Sequence, residues 1–550
     1  MGVRGGITTW RACFVLTLAL AAAVYGPSLD GGLVWDDPAL VSGEAIGGGK
    51  RLRDCFTEPF FGVYFRPLVS VSFFIDRRLF GENPAGYRLV NVALHVGATA
   101  LIIGFALAAL RRRSAALVAG LLFAVQPAQV GAVAWIGGRT DALAVLWAAG
   151  WACMLASALR LDRQGATGPG SAAGEWRIGA LHVGALLCYT AMLFTKEQMA
   201  AALPLVPLAW HAFRPPGRRS LSEAALATLP YAAVTAFFAA MAVFIARPPT
   251  MEPPLHLPGP VVLMAHSVAY YGLLLAAPTP KWMHTLSEGW TLGAPVAWAA
   301  FGLAVAGASA LLWVHWLRRW PEGAWLLAFI ALALLPVLNL VALPYVLVAP
   351  YRAACAGLAY SVLAAGLLTG LRGLGRARFA VPRSLRRMAW VGIVTVVVVW
   401  FGALTAWGAS RWRSEESWFS EVRRHDPVSV VARYMLARDR YARSDVAGGL
   451  GPLVEVLEYL LGPGVWRSPE QAVAAMSDPV IVSRIQRSRG FAEDPRAFPT
   501  KVLTVVGWAR LQQGEWGAAE EAYRTALALS PGDADARAGL EAAVARIAPP

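Results

Sequence analysis

Two adjacent carboxylates stand out in Trp35-Asp36-Asp37-Pro38, in a loop directly after the first apolar run. At a membrane surface, Asp36 or Asp37 could serve as general base toward an acceptor hydroxyl. The bland alternative is that Asp37 caps a helix with proline at its first position, which would leave Asp36 free. The same loop carries Tyr64-Phe65-Arg66-Pro67-Leu68, an amphipathic stretch to Phe80, and Gly81-Glu82-Asn83-Pro84-Ala85-Gly86-Tyr87-Arg88, which returns to apolar sequence through Asn91 and His95. Arg66 or Arg88 could grip a lipid phosphate through a forked guanidinium, or could simply snorkel at a membrane boundary. His95 lies inside an apolar run, where an ionisable group is a functional candidate, although a hydrogen-bonded neutral core histidine satisfies the same pattern. Two further turns carry Arg139 with Asp141 and Lys196 with Glu197, each readable as a local ion pair at a helix end. Cations gathered beside a carboxylate suit a reaction on a lipid phosphate.

The elements that would position these residues are membrane helices. Of 550 residues 57% are hydrophobic and 15% charged, where soluble domains hold about 25% charged, and the mean hydropathy is +0.51. An ordinary soluble enzyme is excluded, and an all-α polytopic membrane bundle is implied. The net charge of +15 comes from short basic clusters between apolar runs, such as Arg111-Arg112-Arg113, which read as topology signals and not as a nucleic-acid groove. Five scattered cysteines show neither a disulfide framework nor zinc spacing, and no ligand spacing supports a divalent metal. P-loop, GxGxxG, HExxH, GxSxG and kinase patterns do not stand out, so soluble-nucleotide chemistry lacks support.

Spans are expected near 12–25, 89–110, 114–126, 140–159, 179–194, 199–213, 224–246, 293–316, 323–343, 353–371 and 388–408. A further apolar helix, 261–277, is ambiguous. With it re-entrant or interfacial there are eleven spans, every strongly basic connection lies inside, and Asp36, Arg66, Arg139, Lys196 and Arg352 share the outer side. The N-terminus is then cytoplasmic, the loop 28–87 and the C-terminal part exoplasmic, and a bacterial inner membrane is the expected location. The membrane domain is expected to fill 1–409. Ordinary charge returns at Ser410, and 410–550 reads as a soluble helical domain. Within 500–533, Gly507, Gly514, Trp516, Ala519, Tyr523, Ala526 and Pro531 fall at tetratricopeptide spacing, with imperfect neighbours expected at 427–460 and 533–547. Such helix hairpins capture extended peptides or serve as packing against their own membrane part.

Taken in order, VWDDPALV, YFRPLVSVSFFIDRRLFGENPAGYRLVNVALH, LLFAVQPAQVGAVAWIGGRTDALA, FTKEQMAAALP and the C-terminal repeat resemble the multi-span O-mannosyltransferase-like proteins with C-terminal tetratricopeptide repeats, of the GT-C glycosyltransferase class. The resemblance implies Asp36 or Asp37 as the acidic catalytic group, with Arg66, Arg139 and Lys196 near a polyprenyl-phosphate-linked sugar donor. It also implies transfer to a protein Ser or Thr hydroxyl on the exoplasmic side. Arg88, His95, Asp141 and Glu197 would support them, and only Arg352 matches that class's late Arg-Tyr-rich segment. The chain departs from the pattern at Gln126, Gln129 and Gly131, where histidines and a glutamate are usual. The competing expectation is a non-catalytic membrane anchor whose repeats recruit envelope proteins; a lipid transporter fits less well, because the charged candidates gather on one face.

Overall fold

The computed structural model describes residues 2–46, 51–163, 172–214, 220–246, 260–284, 296–339, 348–374, 383–426, 429–478, 480–482, 484–485 and 494–547. Among these the chain is all-α, with a lone antiparallel bridge between Phe60 and Tyr64 and no strand. Among the described residues eight helices are long and apolar enough to cross a bilayer: Thr8–Ser28, Pro84–Leu110, Arg139–Leu161, Gly174–Leu193, Leu221–Ile245, Val296–Arg319, Pro350–Gly370 and Ser384–Arg411. The chain is an integral, multi-pass membrane protein.

Three expected spans take other forms. The 114–126 segment becomes helix Arg113–Ala124, then a 49° bend, then Pro127–Val133. Pro127 supplies no N–H, and Gln126 before it is pushed to extended backbone (φ −68°, ψ 117°). The 199–213 segment does not form one helix. It breaks into a 3-10 turn, Glu197–Ala202, and the nine-residue helix Leu205–Phe213, which is about 14 Å long against a hydrocarbon core of about 30 Å. The 323–343 segment is helix Pro321–Leu334 with a 3-10 turn to Val337, and 340–347 lie outside the described residues. The ambiguous helix is Pro260–Ala276, 17 residues and about 26 Å long, short of that thickness.

The centre of the bundle is Arg139–Leu161, packed between Pro84–Leu110 and Ala172–Leu193. Small residues let these backbones close up: a methyl on Gly104 would lie 3.0 Å from the Cys153 sulfur, and one on Gly150 3.0 Å from that of Cys188. Leu221–Ile245 and Val296–Arg319 sit outermost and leave Val243, Phe244, Leu311 and Val314 exposed as a lipid-facing surface. The amphipathic stretch of the first loop is helix Pro67–Phe80.

After Arg411 come helices Glu415–His425, Val430–Ala442, Val446–Leu461, Pro469–Ala475, Ala497–Gln512, Trp516–Leu529 and Ala534–Ile547. Ser414, Ser429, Asp445 and Ser468 each cap a helix by accepting a backbone N–H. A second core forms around Leu457, Leu460, Trp466, Val502, Val506 and Tyr523. The first of these helices do not belong to it: Trp418, Phe419 and Val422 join the core of the membrane bundle.

The closest helix crossing is Gly302 against the backbone of Ala265, where any β-carbon would overlap the Ala265 carbonyl. We expect Gly302→Val to cost about 2 kcal/mol or more, read as a lowered thermal midpoint of detergent-purified protein, whereas Gly307→Val, which faces open space, should leave the midpoint unchanged.

Candidate functional site

Arg88 occupies the start of helix Pro84–Leu110, whose first turn is set by Pro84 and by the Asn83 side chain accepting from Ala85 N. Its guanidinium is wholly buried. Nε donates to Ala134 O at 3.1 Å, Nη2 to Trp412 O at 3.2 Å, and the terminal nitrogens to the carbonyls of Gly31 and Gly32. Asp37 Oδ2 lies 3.9 Å from Nη2. With each of its three nitrogens already donating to a backbone carbonyl, Arg88 is not available to a lipid phosphate, which corrects that expectation.

Asp37 is equally enclosed. It is the first residue of helix Asp37–Ser42, so it is not the cap; Asp36 stands at the cap position and makes no capping hydrogen bond. Asp37 Oδ2 accepts from Val34 N at 3.0 Å, and Oδ1 from Gly137 N at 3.1 Å, 100 residues away. Burial pushes its carboxyl up to about 7, against the pull of the two N–H donors and Arg88.

Asp36 differs in every respect. Its carboxylate is partly exposed and makes no hydrogen bond or ion pair with a described residue. Burial raises it to about 6, with the Arg438 guanidinium holding it down and the Glu415 carboxylate adding to the rise. Both neighbours come from the C-terminal segment. Glu415 Oε1 accepts from Trp35 N at 3.1 Å and is paired with Arg438. Trp35 holds a left-handed backbone (φ +61°), a conformation costly for a bulky residue, and its indole begins a stack of four. Trp35 lies 5.4 Å from Trp135, Trp135 5.4 Å from Trp412, and Trp412 3.8 Å from Trp418. The indole of Trp135 also donates to Val34 O at 3.3 Å.

The other charged candidates exchange the local partners expected of them for distant ones. Arg139, fully buried, donates to Asp76 Oδ2 at 2.7 Å, Ser72 Oγ at 2.7 Å, Tyr87 O at 2.8 Å and the Asn91 side chain. Like Arg88 it is spent on structure, so its expected place at a donor phosphate is also corrected. Asp141 pairs with Lys196. Glu197 takes both forks of Arg66, at 2.6 and 2.9 Å. Burial alone would raise the Glu197 carboxyl, but Arg66 outweighs it and holds the acid below its ordinary value. His95 is a core residue, with Nε2 3.2 Å from Ala124 O and its ring against Tyr25 and Phe123.

The candidates that remain converge on Tyr351-Arg352. Asp36, Asp141 and Arg352 all act electrostatically on the Tyr351 hydroxyl, Asp141 and Lys196 act on Cys355, and Asp141 acts on Arg66. Arg352 is half-buried and hydrogen-bonds the Tyr271 hydroxyl. The departures hold this floor in place: Gln126 Nε2 donates to Leu275 O at 3.2 Å and Gln129 Nε2 to Ala354 O at 2.8 Å, while Gly131 leaves room for the Tyr351 side chain. Among the described residues no group of three or more His, Cys, Asp or Glu side chains is gathered to hold a metal ion. Sequence reasoning passed over Asp76, Tyr351, Glu415 and Arg438. For Glu415, 380 residues from its partner Trp35, nothing local in the sequence signals the contact.

No protein-family profile matches the chain. It is similar to the protein O-mannosyl-transferase Tmtc1 of Drosophila melanogaster, 38% identical over 133 residues, which are 22% of this chain and 16% of that protein. To the human protein O-mannosyl-transferase TMTC1 it is 37% identical over 135 residues, 22% of this chain and 15% of the relative. To human TMTC4 it is 31% identical over 153 residues, 24% and 21% of the two chains. The chain thus covers well under a quarter of the length of these curated relatives. Among solved structures it resembles the apo oligosaccharyltransferase of Archaeoglobus fulgidus (15% identity, TM-score 0.43, 73% of this chain and 56% of that one) and apo ArnT of Cupriavidus metallidurans (18%, 0.37, 79% and 81%).

The two aspartates separate experimentally. Asp37→Asn turns an amide donor toward a backbone N–H and leaves Arg88 without its counter-ion, so we expect a loss of about 3 kcal/mol; Asp36→Asn should stay within about 0.5 kcal/mol of wild type. Because the Asp37 carboxyl binds its proton more tightly when folded, stability should fall as pH climbs from about 4 through 7, and the asparagine variant should flatten that slope. Thermal unfolding between pH 5 and 8 measures both.

Proposed function

We propose that the chain is a membrane glycosyltransferase of the GT-C class that moves a sugar from a polyprenyl-phosphate-linked donor to a hydroxyl group, a protein Ser or Thr, on the exoplasmic face, with inversion at the sugar carbon. The observation that carries this reading is the isolation of Asp36, a carboxylate that has no partner among the described residues and whose charge reaches Tyr351, next to Arg352 in the chain, while Glu197 and Asp141 are each claimed by a cation. Held near 6 it is ionised at neutral pH, yet basic enough to accept a proton in a transition state. The partial similarity to protein O-mannosyl-transferases points to the same chemistry.

In this reaction Asp36 takes the acceptor hydroxyl proton as that oxygen bonds the anomeric carbon, while the bond from that carbon to the phosphate oxygen breaks and releases polyprenyl phosphate. Arg352 is the cation placed to stabilise the charge growing on the leaving phosphate. Lys196 and Arg66 contribute less, each being neutralised by a carboxylate. Residues 1–409 then form the membrane domain and 410–550 a tetratricopeptide-like domain. Helices Ala497–Gln512, Trp516–Leu529 and Ala534–Ile547 support that reading, since Gly507 and Gly539 both lie against the Tyr523 ring and Gly514 turns the chain with φ +77°. Such a surface would present an extended acceptor segment to the outer face, with the N-terminus cytoplasmic in a bacterial inner membrane.

With full-length protein in lipid, a panel of polyprenyl-phosphate sugars and peptide acceptors, Asp36→Asn should lower sugar transfer by about 100-fold or more without lowering the thermal midpoint. Equal transfer by wild type and variant would remove Asp36 as the base, whereas absence of transfer by folded wild type with every donor would return the protein to the scaffold reading. Arg438→Gln removes the charge that holds Asp36 down, so the acid limb of the kcat/KM profile, expected near pH 6, should move to higher pH.

A further inference from the structure

Two cavities among the described residues lie away from the proposed site. One of about 630 Å³ opens between helices Pro84–Leu110, Arg139–Arg163 and Ala172–Leu193, at the end of Pro84–Leu110 away from Arg88, and is lined by Gly104, Leu107, Ser157, Arg160, Arg177 and Gly184 among others. From Arg88 to Leu107 is 19 residues, about 29 Å along the helix, so the cavity opens at the opposite membrane face from Asp36.

Its walls are apolar and its rim is cationic. Arg160 is only 7% exposed; Nη2 pairs with Glu322 and also meets Ala109 O at 3.4 Å, while its enclosed Nε–H finds no acceptor. Arg177, exposed on the facing helix, makes no ion pair with a described residue, and Glu175 beside it does not line the cavity. Trp176 also lines it and is 77% exposed, the usual posture of an indole at headgroup level. One turn and more below, Val183 and Leu187 face outward along the same helix. A buried guanidinium with a donor that meets no acceptor among the described residues, a second guanidinium with no ion pair among them, and an apolar slot running into the bilayer together complement one kind of molecule: a phosphate carried on acyl chains.

We propose that this crevice binds an anionic phospholipid of its own leaflet, with the phosphate between Arg160 and Arg177 and an acyl chain in the slot past Leu107 and Gly184. The site stands apart from the transferase reading and does not depend on it. Tight occupancy would wedge the central helix against its two neighbours and so stabilise the bundle from the face remote from the chemistry.

The test uses full-length protein in detergent, titrated with phosphatidylglycerol or with phosphatidylcholine of the same chains, and read by native mass spectrometry as lipid retained at the first site. Wild type should retain phosphatidylglycerol about five-fold better, the preference expected of roughly one interfacial arginine. Arg177→Gln should erase that preference. Ala180→Trp, which fills the slot from an exposed position, should reduce retention of both lipids, and Arg318→Gln, outside the crevice, should change nothing. The proposal is overturned by equal retention of the two lipids in wild type, by an unchanged preference in Arg177→Gln, or by unchanged retention in Ala180→Trp. Displacement of the lipid by millimolar inorganic phosphate would also overturn it, showing a site for a free anion.

Discussion

The guanidinium of Arg88 is buried where water cannot reach it, and a cation in such surroundings costs several kcal/mol unless every donor is met and a counter-charge stands near. The carbonyls of Gly31 and Gly32, Ala134 and Trp412 supply an acceptor to each of the three nitrogens, and the Asp37 carboxylate supplies the counter-charge. They come from three separate stretches of chain: the first loop with Gly31, Gly32 and Asp37, the segment after the bend at Pro127 with Ala134, and the end of the last long helix with Trp412. Satisfying one charge therefore fixes the relative position of all three and of the helix that carries Arg88. The outer end of the bundle is organised around that cation, and Asp36 stands where it does because its neighbour Asp37 is held by Arg88 and Gly137.

The same logic explains why the ion pairs run across the fold. Adjacent or near-adjacent opposite charges such as Lys196 with Glu197, or Arg139 with Asp141, satisfy each other only if their side chains stay in solvent. Inside the protein the backbone directs successive side chains to different sides, so each must find a partner on whichever element it faces. Arg139 is matched by Asp76 of helix Pro67–Phe80, Lys196 by Asp141 of the central helix, and Glu197 by Arg66 at the start of helix Pro67–Phe80. The first and third of these pairs tie the first loop to the rest of the bundle, and the second ties the turn after Gly174–Leu193 to the central helix. Beside these paired acids, Asp36 has no cation in contact among the described residues.

The C-terminal segment is part of this arrangement. Four indoles stack from Trp35 through Trp135 and Trp412 to Trp418, so the first loop, the bent helix and the first helix beyond the membrane share one apolar column. Aromatic pairs of this kind contribute roughly 0.5–1.5 kcal/mol each beyond the area they bury. The column, together with the Glu415 carboxylate accepting from Trp35 N, keeps Trp35 in its unfavourable backbone conformation. Through Glu415 and Arg438 the field felt by Asp36 is set partly by residues that a division of the chain at residue 410 assigns elsewhere.

Composition and periodicity determined that this is an all-α membrane protein, because a bilayer demands long apolar helices and leaves that demand written residue by residue. They also located the first loop, its amphipathic helix and most of the spans, and singled out the pair Asp36-Asp37 in VWDDPALV without choosing between them. Helix continuity within 199–213 was beyond them, since an apolar run reads alike whether it crosses a bilayer or breaks into a 3-10 turn and a short buried helix. Partner choice was equally beyond them. Arg88, Arg139 and Arg66 look alike in sequence, and only packing shows that two are consumed by buried carbonyls and carboxylates while the third lies nearer the surface with Glu197. A side chain's chemistry belongs to its residue type, but whether that chemistry is still unspent depends on what lies within hydrogen-bond reach, and contacts 46 to 380 residues apart arise only when the chain is folded.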